Sequence, residues 1–462
     1  MKVLLISTNV AQTPYPVFPL GLAMVAAALR AAGHEPVHAD FLQTGLSLDA
    51  IADVARREQP GLIGLSMRNI DNVNLLNEQR YVAVVRDIAH AARQGSDAPV
   101  VLGGSAFSIL PGTLLGLVGA DYGVKGEGER AIVELADAIA AGNPPPLGTL
   151  FQGDRLPGHA IPSAAYDPAV LQYYLDSGTV ASIQTKRGCP YHCVYCSYPY
   201  LEGHAIRDRR PADVADDFER LARDHGARYI FLTDSVFNDP DGRFMDLVAE
   251  LDRRNLSTPW TAFFKPGGLD DANVAAMRKV GLQAAEIGSD AACDTTLRGL
   301  GKNFAFDDVV ACNELFARHG VATAHFFMFG GPGETRETVR ESLENLQRLE
   351  PAVLFAFMGI RIVPHTPLAE LAVREGVIRP DTPLLDPVYY LSPGVERGWL
   401  EETLTREFAK RRHWIFPPDA LDSVLRYLHK MGFTGSLWDM LNKKRTRKGK
   451  AAGDWPSATS DQ

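Results

Sequence analysis

At 462 residues, 46% hydrophobic and 22% charged, the chain has the composition of a soluble globular protein with room for two or three domains. Five cysteines are too few for a disulfide scaffold and fit a reducing compartment, and a net charge of −9 disfavours nonspecific nucleic-acid binding. The opening M-K-V-L-L-I-S-T is too short an apolar run for a signal peptide, and nowhere do about 18 apolar residues follow one another, so no membrane span and a cytoplasmic location are expected.

Residues 1–145 alternate short apolar strands with amphipathic helices. Strands are predicted at Val3–Ser7, Pro36–Asp40, Leu62–Ser66, Val100–Gly103 and Tyr122–Val124. Helices are predicted at Leu20–Ala32, Leu48–Arg57 (with Ser47 as N-cap), Arg80–Arg93 and Glu129–Ala141. This alternation specifies a doubly wound parallel sheet, whose ligands bind beyond the carboxyl ends of the strands. Two glycine turns fall at such ends, Gly103-Gly104-Ser105 and Gly126-Glu127-Gly128. Glycine lets the backbone approach a large ligand closely, although Gly-Gly after a buried strand is also ordinary punctuation. Residues 146–180, rich in Pro and Gly, read as a linker.

The next stretch is T-K-R-G-C-P-Y-H-C-V-Y-C-S-Y-P, placing three of the five cysteines, Cys189, Cys193 and Cys196, on one loop after a strand. Three thiolates on a short loop can hold three corners of a [4Fe–4S] cluster and leave the fourth iron open to a ligand. The alternatives are a zinc site completed by His192 and a chance group of buried cysteines. Structural zinc usually takes two separated ligand pairs, and no second pair occurs here.

From 181 to 375 the alternation returns, with strands predicted at Ala181–Gln184, Tyr229–Leu232, Thr261–Phe264, Ala284–Ile287, Ala324–Phe329 and Phe357–Val363. Six units describe a partial (β/α)6 barrel, whose chemistry sits at the carboxyl ends of its strands. There lie Thr233, Asp234 and Ser235, then Glu286 and Ser289, then Gly330, Gly331 and Gly333 in a strand–helix turn, with Arg361 on the last strand. Each has a structural reading as well: Glu286 as a buried carboxylate, the glycines as a tight turn with Glu334 near a helix start. Residues 376–442 read as a helical cap, and the basic run from Lys443 as a disordered tail to residue 462.

C-x3-C-x-aromatic-C, with Tyr195 as the aromatic, resembles the signature of the radical S-adenosylmethionine enzymes. The domain before it resembles a cobalamin-binding domain, so the chain is similar to the cobalamin-dependent members of that family over about residues 1–375. The resemblance implies three cofactors: a [4Fe–4S] cluster on Cys189, Cys193 and Cys196, S-adenosylmethionine, and cobalamin, carried as methylcobalamin. It assigns Tyr195 to the adenine, Thr233, Asp234 and Ser235 to the methionyl amino group, and Glu286 and Ser289 to ribose and methionine. Gly330, Gly331 and Gly333 become backbone contacts, Arg361 a contact beside the adenine, and Lys302 a carboxylate partner. Ser66, Gly103, Gly104, Ser105, Gly126, Glu127 and Gly128 would cradle the corrin and its tail.

One departure is informative. Many cobalamin domains carry D-x-H-x-x-G after the first strand, whereas this loop reads S-T-N-V-A-Q-T-P-Y-P, without histidine. Arg68, beyond the third strand, would then face the lower side of cobalt and disfavour a sixth ligand, as in the tryptophan 2-methyltransferase branch; otherwise it pairs with Asp71 or faces solvent. The resemblance implies methylation of an unreactive centre in a small molecule, a lipid or a natural-product intermediate, with an external electron donor such as flavodoxin or ferredoxin. The same cofactors also serve aminocarboxypropyl transfer, ring contraction and cyclisation. A non-catalytic cobalamin sensor would leave the cysteine loop unexplained.

Overall fold

The computed structural model describes residues 1–12, 15–178 and 180–442, so the basic tail lies outside the described residues. The first sheet has six parallel strands: β1 (Lys2–Ser7), β2 (Glu35–Asp40), β3 (Leu62–Ser66), β4 (Val100–Gly103), β5 (Tyr122–Lys125) and β6 (Leu150–Gln152), in the order β2-β1-β3-β4-β5-β6. β1 is buried along nearly its whole length, as expected of a parallel strand covered on both faces. Helices α1 (Leu20–Ala31), α2 (Leu48–Glu58), α3 (Val82–Gly95), α4 (Ser105–Ile109), α5 (Pro111–Val118) and α6 (Glu129–Ala140) supply those covers. Leu22, Ala26, Leu29, Ile132 and Leu135 pack on one face, and Ile51, Ala55, Val85 and Ile88 on the other. Ser47 caps α2, its hydroxyl accepting from the Ala50 amide at 3.2 Å.

Two features depart from expectation. The stretch read as linker contributes β6, a short edge strand, and helix α7 (Pro168–Gly178), whose Tyr174 hydroxyl donates to Asp40 at 2.8 Å. Helices α4 and α5 follow β4 where only a turn was expected.

The second sheet is open, parallel and seven-stranded: β7 (Ala181–Ile183), β10 (Ile230–Leu232), β11 (Trp260–Phe264), β12 (Leu282–Asp290), β13 (Ala322–Phe329), β14 (Val353–Met358) and β17 (Trp414–Ile415), neighbours in that order. Two antiparallel ribbons flank it, β8 (Lys186–Arg187) with β9 (Arg207–Asp208), and β15 (Ile360–Arg361) with β16 (Tyr389–Tyr390). Helices α8 (Tyr198–Glu202), α9 (Pro211–Asp224), α10 (Phe244–Arg253), α11 (Asp271–Lys279), α12 (Asp294–Gly299), α13 (Phe306–Arg318) and α14 (Arg336–Asn345) join the strands. α15 (Pro367–Arg374), α16 (Arg397–Phe408), α17 (Asp422–Lys430) and α18 (Trp438–Asn442) complete the chain. The expected sixth strand at 357–363 is corrected. It runs over Val353–Met358, Gly359 breaks it at φ 73°, and the next residues enter a ribbon. The seventh strand comes from the segment read as helical cap.

On the helix-covered side of this sheet, Phe237 meets Phe244, Trp260 and Phe264 at 5.6, 5.1 and 5.5 Å between ring centroids. On the opposite side Ala284, Ala324, Val353 and Phe355 pack with Trp438 of α18, which meets Phe355 at 5.3 Å. The carboxyl ends of β1, β3, β4 and β5 and those of β7, β10 and β11 line a common cavity. Among the described residues no helix is long and apolar enough to cross a membrane.

Candidate active site between two sheets

The cavity measures about 560 Å³. From the first sheet and its loops it takes Ser66, Arg68, Gly103, Gly104, Ser105, Gly126, Glu127 and Gly128; from the second, Gln184, Phe231, Thr233 and Phe263; from the ribbon strand β8, Arg187; and from the segment after the cysteine loop, Tyr198 and Glu202. Arg361 also reaches it.

The glycine turns differ in what they require. Gly104 has φ 105°, and a Cβ there would meet Met67 O at 2.4 Å, so β3 and β4 can approach only with glycine at this position. The nearest atom to a Cβ on Gly103 or on Gly128 is 3.6 Å away, so within the protein itself both positions have room for one. Gly126 sits at φ 87°, its amide held by Ser108 Oγ at 2.9 Å. Ser105 Oγ donates to the Arg68 carbonyl at 2.8 Å. The result is a cavity edge with glycine backbone on it and few side chains in the way. Asn9 Nδ2 and Glu129 Oε2 are buried polar atoms in the cavity wall without partners in the protein. Such a wall fits a large, polar-edged ligand such as cobalamin.

Among the described residues the Arg68 guanidinium makes no ion pair or hydrogen bond, and no histidine lines the cavity. Asp71, the alternative partner of Arg68, instead accepts from Arg361 Nε at 2.9 Å. Arg361 also donates to the carbonyls of Ile362 (2.6 Å) and Leu384 (2.8 Å), so its position beside the cavity is fixed by three elements.

Glu127 does not serve the glycine turn as a free side chain. It pairs with Arg187 at 2.8 Å and with Arg207, and accepts from the Leu156 amide at 2.9 Å; Arg187 also pairs with Glu129 at 2.5 Å. Burial pushes the Glu127 carboxyl up, but Arg207 and Arg187 outweigh it and hold the group below its ordinary range. This buried network ties the first sheet to the strand that leads into the cysteines.

The cysteine loop is held from several sides. Gly188, at φ 94°, donates its amide to Glu202 at 2.9 Å, and a Cβ on it would meet Ala205 O at 2.1 Å. Val194 N donates to Leu300 O at 3.0 Å, and Leu368 N donates to Val194 O at 2.8 Å. Burial raises the thiols of Cys189 and Cys196, the latter to about 12, so iron binding has to displace protons there. Among the described residues no three His, Cys, Asp or Glu side chains converge as ligands of a single metal ion. A mononuclear zinc site needs that convergence, whereas a cubane takes each thiolate on a separate iron. His192 instead packs against His204, centroids 4.7 Å apart and the rings tilted by 33°.

Several second-sheet residues take partners other than those the family pattern assigns. Both carboxylate oxygens of Asp234 accept from Thr185, the amide at 2.7 Å and the hydroxyl at 2.5 Å, so Asp234 braces the turn before the cysteines. Ser235 Oγ donates to the Gly188 carbonyl at 2.9 Å and lies beside Cys189. Of that trio Thr233 alone lines the cavity. A register irregularity between Ile287 and Asp290 directs Ser289 to His325 at 2.8 Å, in a buried network with Asn313. Burial alone lowers His325 to about 3, so it is neutral. Glu286 is buried on the Trp438 side of the sheet, its Oε1 without a partner and its carboxyl raised to about 7 by burial. Glu334 accepts from the amides of Gly330 and Gly331, which are therefore not free for a ligand, while Gly333 (φ 77°) has open space around it.

Lys302 forms a buried ion pair with Asp290, a residue that sequence reasoning passed over, and donates to the Tyr195 hydroxyl at 3.3 Å; that hydroxyl donates to Asp290. The Asp290 link rests on a backbone φ of 62°, invisible in the sequence. Arg187 was legible only as part of the motif before the first cysteine.

Residues 6–136 match the B12 binding domain family, and residues 183–346 the radical SAM superfamily. The chain is 27% identical to a tryptophan 2-C-methyltransferase of Streptomyces laurentii, covering 77% of this chain and 72% of that one. It is 25% identical to an uncharacterized methyltransferase of Pyrococcus horikoshii, covering 78% and 79%. The solved structure of the radical S-adenosylmethionine methyltransferase TsrM from Kitasatospora setae, with cobalamin and a [4Fe–4S] cluster bound, superposes with a TM-score of 0.83 at 25% identity, covering 96% of this chain and 97% of that one.

Proposed function

We propose, from a B12 binding domain and a radical SAM domain on one chain, that the protein is a cobalamin-dependent radical S-adenosylmethionine enzyme with a [4Fe–4S] cluster, S-adenosylmethionine and cobalamin as cofactors, and that it methylates an unreactive centre of a small molecule. The observation that carries this reading is the shared cavity. Its glycine edge on the first sheet and the segment leaving the cysteine loop both line it, which supports a substrate held within reach of both cofactors.

When bound, the cluster with S-adenosylmethionine supplies hydrogen abstraction and cobalamin supplies the methyl group. The residues do the rest. Cys189, Cys193 and Cys196 hold the cluster on a loop braced by Asp234, Ser235 and Glu202. Gly103, Gly126 and Gly128 give backbone access to the corrin edge, and Arg68 offers a cation rather than a ligand. Phe231 and Phe263, 5.2 Å apart, put an apolar patch on the cavity wall beside Thr233. The proposed division of labour assigns residues 1–152 to cobalamin and 181–375 to the cluster and S-adenosylmethionine. A one-electron donor and the substrate come from outside the chain.

The test uses S-adenosylmethionine labelled in its methyl group with reduced, cobalamin-loaded enzyme. Label should appear on cobalamin without any substrate present, and then in the product of extracts that support turnover. A product without label, with the label left in 5′-methylthioadenosine, would favour aminocarboxypropyl transfer instead.

A further inference from the structure

The ion pair behind the cysteine loop is built with more constraint than a structural salt bridge needs. Lys302 follows Gly301, at φ 73°, where a Cβ would meet His192 O at 2.6 Å; only a glycine lets this turn lie against the loop. The turn is fastened to Leu300 O at 3.0 Å by the amide of Val194, the residue after Cys193, and the Lys302 ammonium donates to Tyr195 Oη at 3.3 Å, so its charge lies against the stretch of loop that carries Cys193 and Cys196. From the other side, β12 breaks its register after Ile287 and ends on Asp290, an aspartate at φ 62°, outside the region such residues usually adopt. That conformation presents its carboxylate to both Lys302 and Tyr195 Oη. The Lys302 ammonium also lies over the rings of Tyr195 at 5.5 Å and Phe304 at 5.8 Å. Only 8% of the lysine side chain and 9% of the aspartate side chain is exposed, so water screens neither charge from Cys193.

We propose that Lys302 and Asp290 are an opposed charge pair that sets the reduction potential of the cluster on Cys189, Cys193 and Cys196; this rests on the cluster reading above. One electron, delivered by an external one-electron reductant, enters the cluster and adds one negative charge, with no bond or proton transferred. A fixed cation beside a thiolate ligand favours the reduced state, and a fixed anion behind that cation opposes it. Lys302 is thus a positioning and electrostatic residue, already committed to Asp290 rather than held free for a ligand carboxylate.

The experiment is a reductive titration of the full chain with reconstituted cluster, followed by electron paramagnetic resonance, with iron counted in every sample. Lys302→Met should shift the midpoint potential to more negative values, and Asp290→Asn to more positive values. Lys302→Arg, which keeps the charge, should stay near the wild type. Opposite signs are what a purely structural role would not produce. Shifts of the same sign in Lys302→Met and Asp290→Asn would overturn the proposal. So would equal potentials in Lys302→Met and Lys302→Arg, a comparison that stands even where Asp290→Asn does not fold. Absence of iron from the wild type would instead remove the cluster reading itself.

Discussion

Glu286→Gln separates the cost of burying a charge from every other role of this side chain. Glu286 stands in register with Phe263 on one side and Ala324 on the other, on the face of the sheet closed by Trp438. Burial raises its carboxyl from 4.5 to about 7, and the Trp438 indole is the one neighbour that favours the charged form. A folded value above the unfolded one means that stability is complete below pH 4.5 and is lost as the pH rises through 7. At ~1.4 kcal/mol for each tenfold change in proton affinity, the charged carboxylate costs about 3 kcal/mol at pH 8 and under about 1 kcal/mol at pH 5. Glutamine mimics the neutral acid at nearly the same volume. The variant should therefore unfold above the wild type by about 6–12 °C at pH 8, using ~2–4 °C per kcal/mol for a domain of about 200 residues, and by about 3 °C or less at pH 5. Thermal unfolding of the full chain without added S-adenosylmethionine, at the two pH values, reads this directly. An equal difference at both pH values, or a variant less stable at pH 8, would refute the reasoning.

Three further outcomes are expected. Arg187→Met strands Glu129 in a buried site, while Glu127 keeps Arg207, and should lower stability by about 3–5 kcal/mol, measured by denaturant unfolding. Gly104→Ala should misfold or lose stability because its Cβ strikes Met67 O, whereas Gly103→Ala should fold normally and weaken cobalamin binding, read by absorbance titration with hydroxocobalamin. Cob(II)alamin bound with its own base displaced should show no nitrogen splitting in its electron paramagnetic resonance spectrum, because no histidine lines the cavity to replace that base; Arg68→His should introduce the splitting while cobalamin stays bound.

Much of the fold was legible because parallel strands are apolar runs punctuated by turns. β1 to β5 and the cores of β7, β10, β11, β12 and β13 followed from that pattern. What escaped had weak local signals. β6 is three residues on an exposed edge among prolines and glycines, and β17 is two residues long. The sixth strand of the second sheet slipped because the apolar run continues past Gly359, and only its positive φ ends the strand. In the site, motifs located the elements but not the direction of each side chain. The irregularity in β12 turns Ser289 to His325 and presents Asp290 to Lys302, which period-2 alternation cannot anticipate. Glu127 was read as part of a ligand turn because its partners, Arg187 and Arg207, lie 60 and 80 residues away.

Counting both cofactors on one chain tests the central claim most directly. Anaerobically reconstituted protein should carry about four irons together with one cobalamin per chain, and the variant with Cys189, Cys193 and Cys196 all changed to alanine should lose the iron and keep the cobalamin. Iron retained in that variant, or a wild type that binds cobalamin without iron, would contradict a cavity shared by the two.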